Sequence, residues 1–235
     1  VVVANPRRVR LIAAADRKND ELDSEVLARL GRLDPALLAP ITHRGLQAQK
    51  ALVLLRTRDG FVQTRTRMIN MARGHAKSLG LRLPACSAEA FYKRAGEVLT
   101  EEEAPGSGMV LATIEHLTTK IRELDRQIQT ISDARYPETR VLRQVPGVGP
   151  LTALCFVLTI EDPNRFANSR QVGAYLGLVP KQRDSGQRQP QLAITKRGDT
   201  MLRRLLVGSA RYTLGPHGSE SDLRSFGLRL ATTGS

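Results

Sequence analysis

The clearest regularity along the chain lies between residues 110 and 131. Val110, Ile114, Leu117, Ile121, Leu124, Ile128 and Ile131 step by four and three without interruption. That is the a/d spacing of a heptad seam. It predicts a long helix, ended by Pro137. Upstream, residues 45–80 contain no proline and read as a second long helix. The two helices are expected to pair as an antiparallel hairpin. The same seam in a second subunit, or one amphipathic helix on a globular core, would also satisfy the pattern. Residues 81–107, with Pro84, Pro105 and Glu101-Glu102-Glu103, read as a connection.

At the start of the chain, Val1, Val2, Val3 and Ala4 form a β-branched run closed by Asn5-Pro6. This predicts a short buried strand and its exit. A helix should follow from about Asn19 to Leu30, with Gly31 as its stop. On it Leu22, Val26, Leu27 and Leu30 share one stripe at about 100° per residue. Asp23 falls within that stripe and Asp20 at its edge, while Glu21 and Glu25 point the other way. A carboxylate on a core face is costly unless it meets backbone N–H groups at a helix start, or a metal ion. Capping is an open alternative for Asp20, in the first turn, and a weaker one for Asp23. Two acids at i and i+3 beside a strand end would supply half of a Mg²⁺ site for phosphodiester chemistry.

Composition shifts the picture toward polyanions. The 235 residues carry 36 Lys+Arg against 23 Asp+Glu, a formal charge of +13, which favours DNA, RNA or an acidic surface as partner. No apolar run approaches the about 18 residues that a membrane helix needs, and the N-terminus lacks a signal-peptide pattern. Cys86 and Cys155 sit far apart in apolar surroundings, the usage of free thiols in a cytoplasmic protein. The chain opens without Met inside its predicted strand, so it is expected to be a piece of a longer protein. The 45–80 helix holds Lys50, Arg56, Arg58, Arg65, Arg67, Arg73 and Lys77 against a single acid, Asp59. So lopsided a helix either solvates a charged face or meets phosphate.

Residues 138–235 are rich in glycine and arginine. Pro146-Gly147-Val148-Gly149, between two apolar helical segments, is the pattern of a helix-hairpin-helix. Gly147 and Gly149 would take left-handed dihedrals and bring backbone N–H groups close to a phosphate. Pro150 suits the first turn of the second helix. A plain turn between helices would read the same way, but Arg140 and Arg143 favour contact with the DNA backbone. Eight Lys/Arg from Lys181 to Arg211, among them Arg183, Lys196, Arg197, Arg203 and Arg204, face only Asp184 and Asp199. Lys196-Arg197-Gly198-Asp199 leads into a helix whose Arg203 and Arg204 suit phosphate oxygens. Asp184-Ser185-Gly186 by itself is a turn, with no base fixed beside Ser185 in sequence.

In this order "VVVANP", "KNDELD", the paired helices, "VPGVGPLTA", "RFANSRQVGAYLGLVP", Ser185-Gly186 and "ITKRGDTMLRR" resemble the DEDD-type transposases of bacterial insertion sequences. This is the "one-ten" insertion-sequence family, related to Piv-type DNA invertases and bridge-RNA-guided recombinases. The resemblance implies a mainly α fold with a partial α/β element. It places the remnant of a RuvC-like (ribonuclease-H-like) domain at 1–38, antiparallel coiled-coil helices at 39–136, and an α-helical transposase domain with the helix-hairpin-helix at 137–235. It implies DNA transposition with Mg²⁺ on an acidic tetrad, whose last two members match Asp20 and Asp23. Ser185 matches a serine that attacks DNA and is held as a phosphoserine. The implied partners are DNA, a structured guide RNA in some members, and further copies of the chain through the coiled-coil helices. The implied setting is the bacterial cytoplasm at the nucleoid.

Two departures temper this. The first Asp and the Glu of the tetrad would lie upstream of Val1, and the family's basic, glycine-initiated last helix is not met before Thr233-Gly234-Ser235. Half a metal site binds poorly, so this chain alone is expected to be inactive. A non-catalytic DNA- or RNA-binding fragment and the remnant of a decayed mobile element are the competing readings.

Overall fold

The computed structural model describes residues 2–5, 9, 19–41, 44–183, 190 and 192–233. The chain divides into two compact units, Val1–Leu46 and Gln47–Ser235.

The first unit is built on helix α1, Asp20–Leu33. Asn19 caps it, its side chain accepting from the Glu21 N–H at 3.0 Å. Asp20, Glu21 and Asp23 occupy the first turn and Arg32 the last, the charge order that the helix dipole favours. The helix runs through Gly31, the expected stop, and ends two residues later at Leu33, followed by the C-cap Asp34, whose N–H donates to the Leu30 carbonyl. Asp34 caps the next turn, Pro35–Leu38, accepting from Ala36 N–H at 2.8 Å. Among the described residues 2–5 the expected strand does not form. Residues 2–5 run beside this turn through Asn5 N–H to Leu38 O (3.0 Å) and Ile41 N–H to Val3 O (2.9 Å). Their neighbour is an irregular stretch with Ala39 in a left-handed conformation (φ 45°), which cannot continue a ladder. Among the described residues only a single bridge, Pro180 with Ile194, has strand-like pairing.

The second unit is helical. Its frame is α2, Leu46–Ser78, and α4, Ser107–Arg135, with the short α3, Phe91–Gly96, between them. Arg58 donates to Asp125 at 2.8 and 3.3 Å. Seven residues further along α2, Arg65 donates to Thr118, seven residues back along α4. The helices therefore run antiparallel, as the seam predicted. Of the seam residues Ile114, Leu117, Ile121 and Ile128 are buried, and Val110, Leu124 and Ile131 are half-buried. Leu111, Thr118 and Ser132 are buried too. The stripe is wider than a/d because α3 and α6 (Pro150–Ile160) also pack on α4.

Two apolar clusters divide the hairpin. Toward one end Ile69, Ala72 and Ala76 of α2 meet Leu111 and Ile114 under Phe91 and Ala95 of α3. Toward the other, Ala51, Leu52 and Leu55 meet Ile128 together with Leu154, Cys155 and Leu158 of α6, Leu176 and Leu202. Helix α6 has seven buried residues out of eleven, the composition of a helix covered on nearly all sides. Around it lie α5 (Thr139–Leu142), α7 (Arg170–Tyr175) and α8 (Thr200–Leu214), and α9 (Asp222–Thr233) packs on α8. Helix α9 is an element that the apolar pattern did not single out.

One ion pair ties the hairpin to the last helices. Arg204 of α8 donates to Asp59 of α2. Burial pushes the Asp59 carboxyl up, but hydrogen bonds from Arg204 and Gln63 and the charges of Arg204 and Arg58 outweigh it and hold it below the ordinary 3.8. A depressed carboxylate contributes stability above its unfolded value, lost as the pH falls through the folded one. The difference in urea midpoint between the parent and Arg204→Ala is therefore expected to be constant from pH 7 to 5 and to shrink below about pH 3.8. An unchanged difference at pH 2.5 would mean that the pair's charge contributes nothing.

Candidate nucleic-acid interface

The seven cations of α2 do not act alike. Arg58 is committed to Asp125, and Arg65 is buried, bridging Glu89 (2.9 Å) and Thr118. Lys50, Arg56, Arg67, Arg73 and Lys77 remain exposed. Arg73 also lies over the Phe91 ring, 5.5 Å from its centroid. Asp59, the one acid of the helix, is the residue that sequence reasoning did not place. Its isolation among cations was the available signal.

The Pro146–Gly149 turn joins the one-turn helix α5 to α6. Only Gly147 takes a left-handed conformation (φ 85°), whereas Gly149 is extended (ψ 177°). The expectation of two left-handed glycines is thus half right. Gly147 is needed for packing: a methyl group there would sit 2.8 Å from the Ser209 carbonyl oxygen and 3.2 Å from Thr213 Oγ1. The Thr213 hydroxyl donates to the Pro146 carbonyl at 2.7 Å, holding the turn against α8. Helix α6 starts at Pro150 with no side-chain cap, which leaves first-turn N–H groups for water or an anion. Arg143 is drawn aside by Asp133 at 2.7 Å; Arg140 is exposed.

Beyond α7 the chain doubles back on itself. Lys181 N–H donates to Ala193 O (3.0 Å), Thr195 N–H to Val179 O (2.9 Å) and Lys196 N–H to Gly177 O (3.1 Å). Lys196 has a positive φ of 55°, a conformation that the packing of its turn must impose. Asp199 then caps α8, accepting from Leu202 N–H at 2.8 Å. Arg183, Lys196 and Arg197 are exposed. Ser185 lies outside the described residues.

Arg203 departs from its expected role. It is buried, and its guanidinium donates to the carbonyls of Leu176 (3.0 Å) and Arg197 (2.9 Å). It clamps the turn to the end of α7 and has no free face for a phosphate. Its neighbour Arg204, about 100° round the helix, points to Asp59. Arg203→Lys, which loses the planar fork, is expected to cost about 1.5 kcal/mol of stability while folded protein keeps its affinity for DNA. A loss of affinity without a loss of stability would return Arg203 to the phosphate contacts.

The paired carboxylates of α1 also differ from expectation. Asp23 is half-buried on the side of Val26, Leu27 and Leu30, but Asp20 is exposed, and α1 has no fully buried residue. Its stripe is only partly covered, so neither acid is forced to find a cation, and the N-cap is Asn19 rather than Asp20. Among the described residues no group of three or more His, Cys, Asp or Glu comes together. The two acids do not make a divalent-cation site by themselves.

Residues 139–222 match the family model described as Transposase IS116/IS110/IS902 family, and residues 1–80 match a second model described as a transposase. The chain is 32% identical over 219 residues to the transposase for insertion sequence element IS1111A of Coxiella burnetii, covering 90% of this chain and 59% of that protein. It is 31% identical to a probable family 20 transposase of Pseudomonas aeruginosa, over 88% of this chain and 63% of the relative. It is also 31% identical to the transposase of IS1328 from Yersinia enterocolitica, over 90% and 63%. The chain belongs to the IS116/IS110/IS902 transposase family. It spans about three fifths of the length of these relatives. Within the family match at 139–222 fall the Gly147 turn, the uncapped start of α6, the clamped Lys196–Arg197 turn and α8. Among the described residues no helix is long and apolar enough to cross a membrane.

Proposed function

We propose that this chain is the nucleic-acid-handling part of an insertion-sequence transposase, acting on DNA in the bacterial cytoplasm at the nucleoid. The observation that carries this is the set of exposed cations on α2 and on the Lys196–Arg197 turn that have no carboxylate partner among the described residues, in a chain of net charge +13. Free Lys and Arg on rigid helices and clamped turns are what phosphate contacts require. In this reading the turn at Gly147 and Gly149 acts as a helix-hairpin-helix, offering the uncapped start of α6 to a DNA phosphate. Arg183, Lys196, Arg197 and Arg204 add further charge, Arg204 after exchanging Asp59 for phosphate.

The domain limits at 38 and 136, the RuvC-like ancestry of the first unit and a coiled-coil packing of α2 on α4 belong to the same reading, as do a guide RNA and assembly through the hairpin. Ser185 is assigned as the nucleophile toward a DNA phosphate, and Asp20 and Asp23 as two members of an acidic centre. Mg²⁺ enters only through the family resemblance. A second reading, binding without catalysis, rests on the same exposed cations. Salt-dependent binding of duplex DNA, with strand cleavage followed when Mg²⁺ is added, tests both. Binding without cleavage is the result expected for this chain alone, and absence of binding would sink both readings.

A further inference from the structure

An arginine packed with two aromatic rings lies beside the clamped turn. Asp162 caps the turn Pro163–Arg165 by accepting from Asn164 N–H at 2.9 Å. This fixes the backbone that carries Arg165. The Arg165 guanidinium carbon lies 4.4 Å from the centroid of Tyr175 and 4.8 Å from that of Phe166. The two rings meet edge to face at 5.4 Å and 69°. Arg165 is exposed, Tyr175 is 37% exposed, and among the described residues no carboxylate pairs with Arg165. A guanidinium within cation–π distance of two rings and still exposed to water can take a further planar group against it.

The cations next to it are fixed, not floating. Gly177, at the end of α7, lies so close to Arg197 that any side chain would overlap the Arg197 backbone, and Gly198 lies equally close to the Tyr175 carbonyl. The Arg203 clamp locks the same two segments. Lys196 and Arg197 are therefore presented beside Tyr175 by backbone contacts rather than by chance.

Resting on the nucleic-acid reading above, we propose that Arg165, Phe166 and Tyr175 with Lys196 and Arg197 form a site for one unstacked nucleotide of a single-stranded nucleic acid. The base stacks on the outer plane of the Arg165 guanidinium, and the adjoining phosphates meet Lys196 and Arg197. Planar stacking tolerates any base and needs an exposed face, which a paired duplex does not offer. DNA and RNA single strands share this chemistry.

The test uses the full chain with short single strands carrying 2-aminopurine, as DNA and as RNA, against an abasic strand and a blunt duplex. The unaltered chain is expected to quench 2-aminopurine and to bind base-bearing strands more tightly than abasic ones. The polymer bound more tightly names the source, and either order supports the site. Arg165→Lys, which keeps the charge but loses the plane, is expected to weaken base-bearing strands about tenfold and to abolish quenching. Duplex and abasic affinities should stay where they were. Tyr175→Leu, with its fold checked by circular dichroism, should move in the same direction. Arg197→Gln should weaken every ligand and reduce the salt slope by about one. Equal affinity for base-bearing and abasic strands, or an equal loss on all ligands in Arg165→Lys, overturns the site while duplex binding keeps the broader reading intact. No binding of any ligand overturns both.

Discussion

Replacing Gly177 by alanine is expected to cost about 3 kcal/mol of stability, the sum of a left-handed backbone and a steric overlap. Gly177 has φ 70°, and a methyl group there would overlap the carbonyl oxygen of Arg197. The atom it would strike is backbone, held by Arg203 and by the Lys196 N–H bond to Gly177 O (3.1 Å), so it cannot turn aside as a long side chain would. For a chain of this size the loss corresponds to a fall in melting temperature of roughly 6–12 °C. Gly173, inside α7, is the control: its Cβ would meet only Val179 Cγ1 at 3.9 Å, and alanine there should be neutral or stabilising by up to about 1 kcal/mol. Thermal unfolding of the two variants decides. Equal melting temperatures would mean that the contact between the end of α7 and the Lys196–Arg197 turn is loose. The basic turn would then have no fixed position relative to Tyr175.

The sequence pattern made some of this architecture legible and hid the rest for physical reasons. Helix periodicity located the hairpin, because a long amphipathic helix repeats its signal many times and needs no tertiary context. The helix that follows Lys196-Arg197-Gly198-Asp199 was equally local. The role of Arg203 was not legible. Arg203 and Arg204 are adjacent and chemically alike, yet one turns into the fold to hold carbonyls and the other turns toward Asp59. Which one does so depends on where Leu176 and Asp59 come to rest, and charge counting carries no such information. The reading of α1 erred in a related way. The stripe of Leu22, Val26, Leu27 and Leu30 reads as a core face, but Leu22 is 47% exposed and the helix buries no residue. Periodicity reports that a helix is amphipathic, and only packing decides how deeply its apolar side is covered. Residues 2–4 do not form a strand because a strand requires a partner, and their neighbours are a turn and a left-handed residue.

The exposed cations of the second unit decide the function of this chain by whether they meet phosphate. Arg56, Arg67, Lys77, Arg183, Lys196 and Arg197 are exposed and outside the ion pairs that occupy Arg58, Arg65, Arg143 and Arg204. If roughly six of these cations release counterions from duplex DNA, log K should fall against log salt with a slope of about −5. Between about 50 and 200 mM salt that is a loss of about 10³ in affinity, the largest effect expected of this protein. The measurement is fluorescence anisotropy of a labelled duplex titrated with the full chain at four salt concentrations. A slope near −5 is the predicted result. A slope shallower than about −2, or no binding at the lowest salt, would contradict the assignment of this chain's excess charge to nucleic acid.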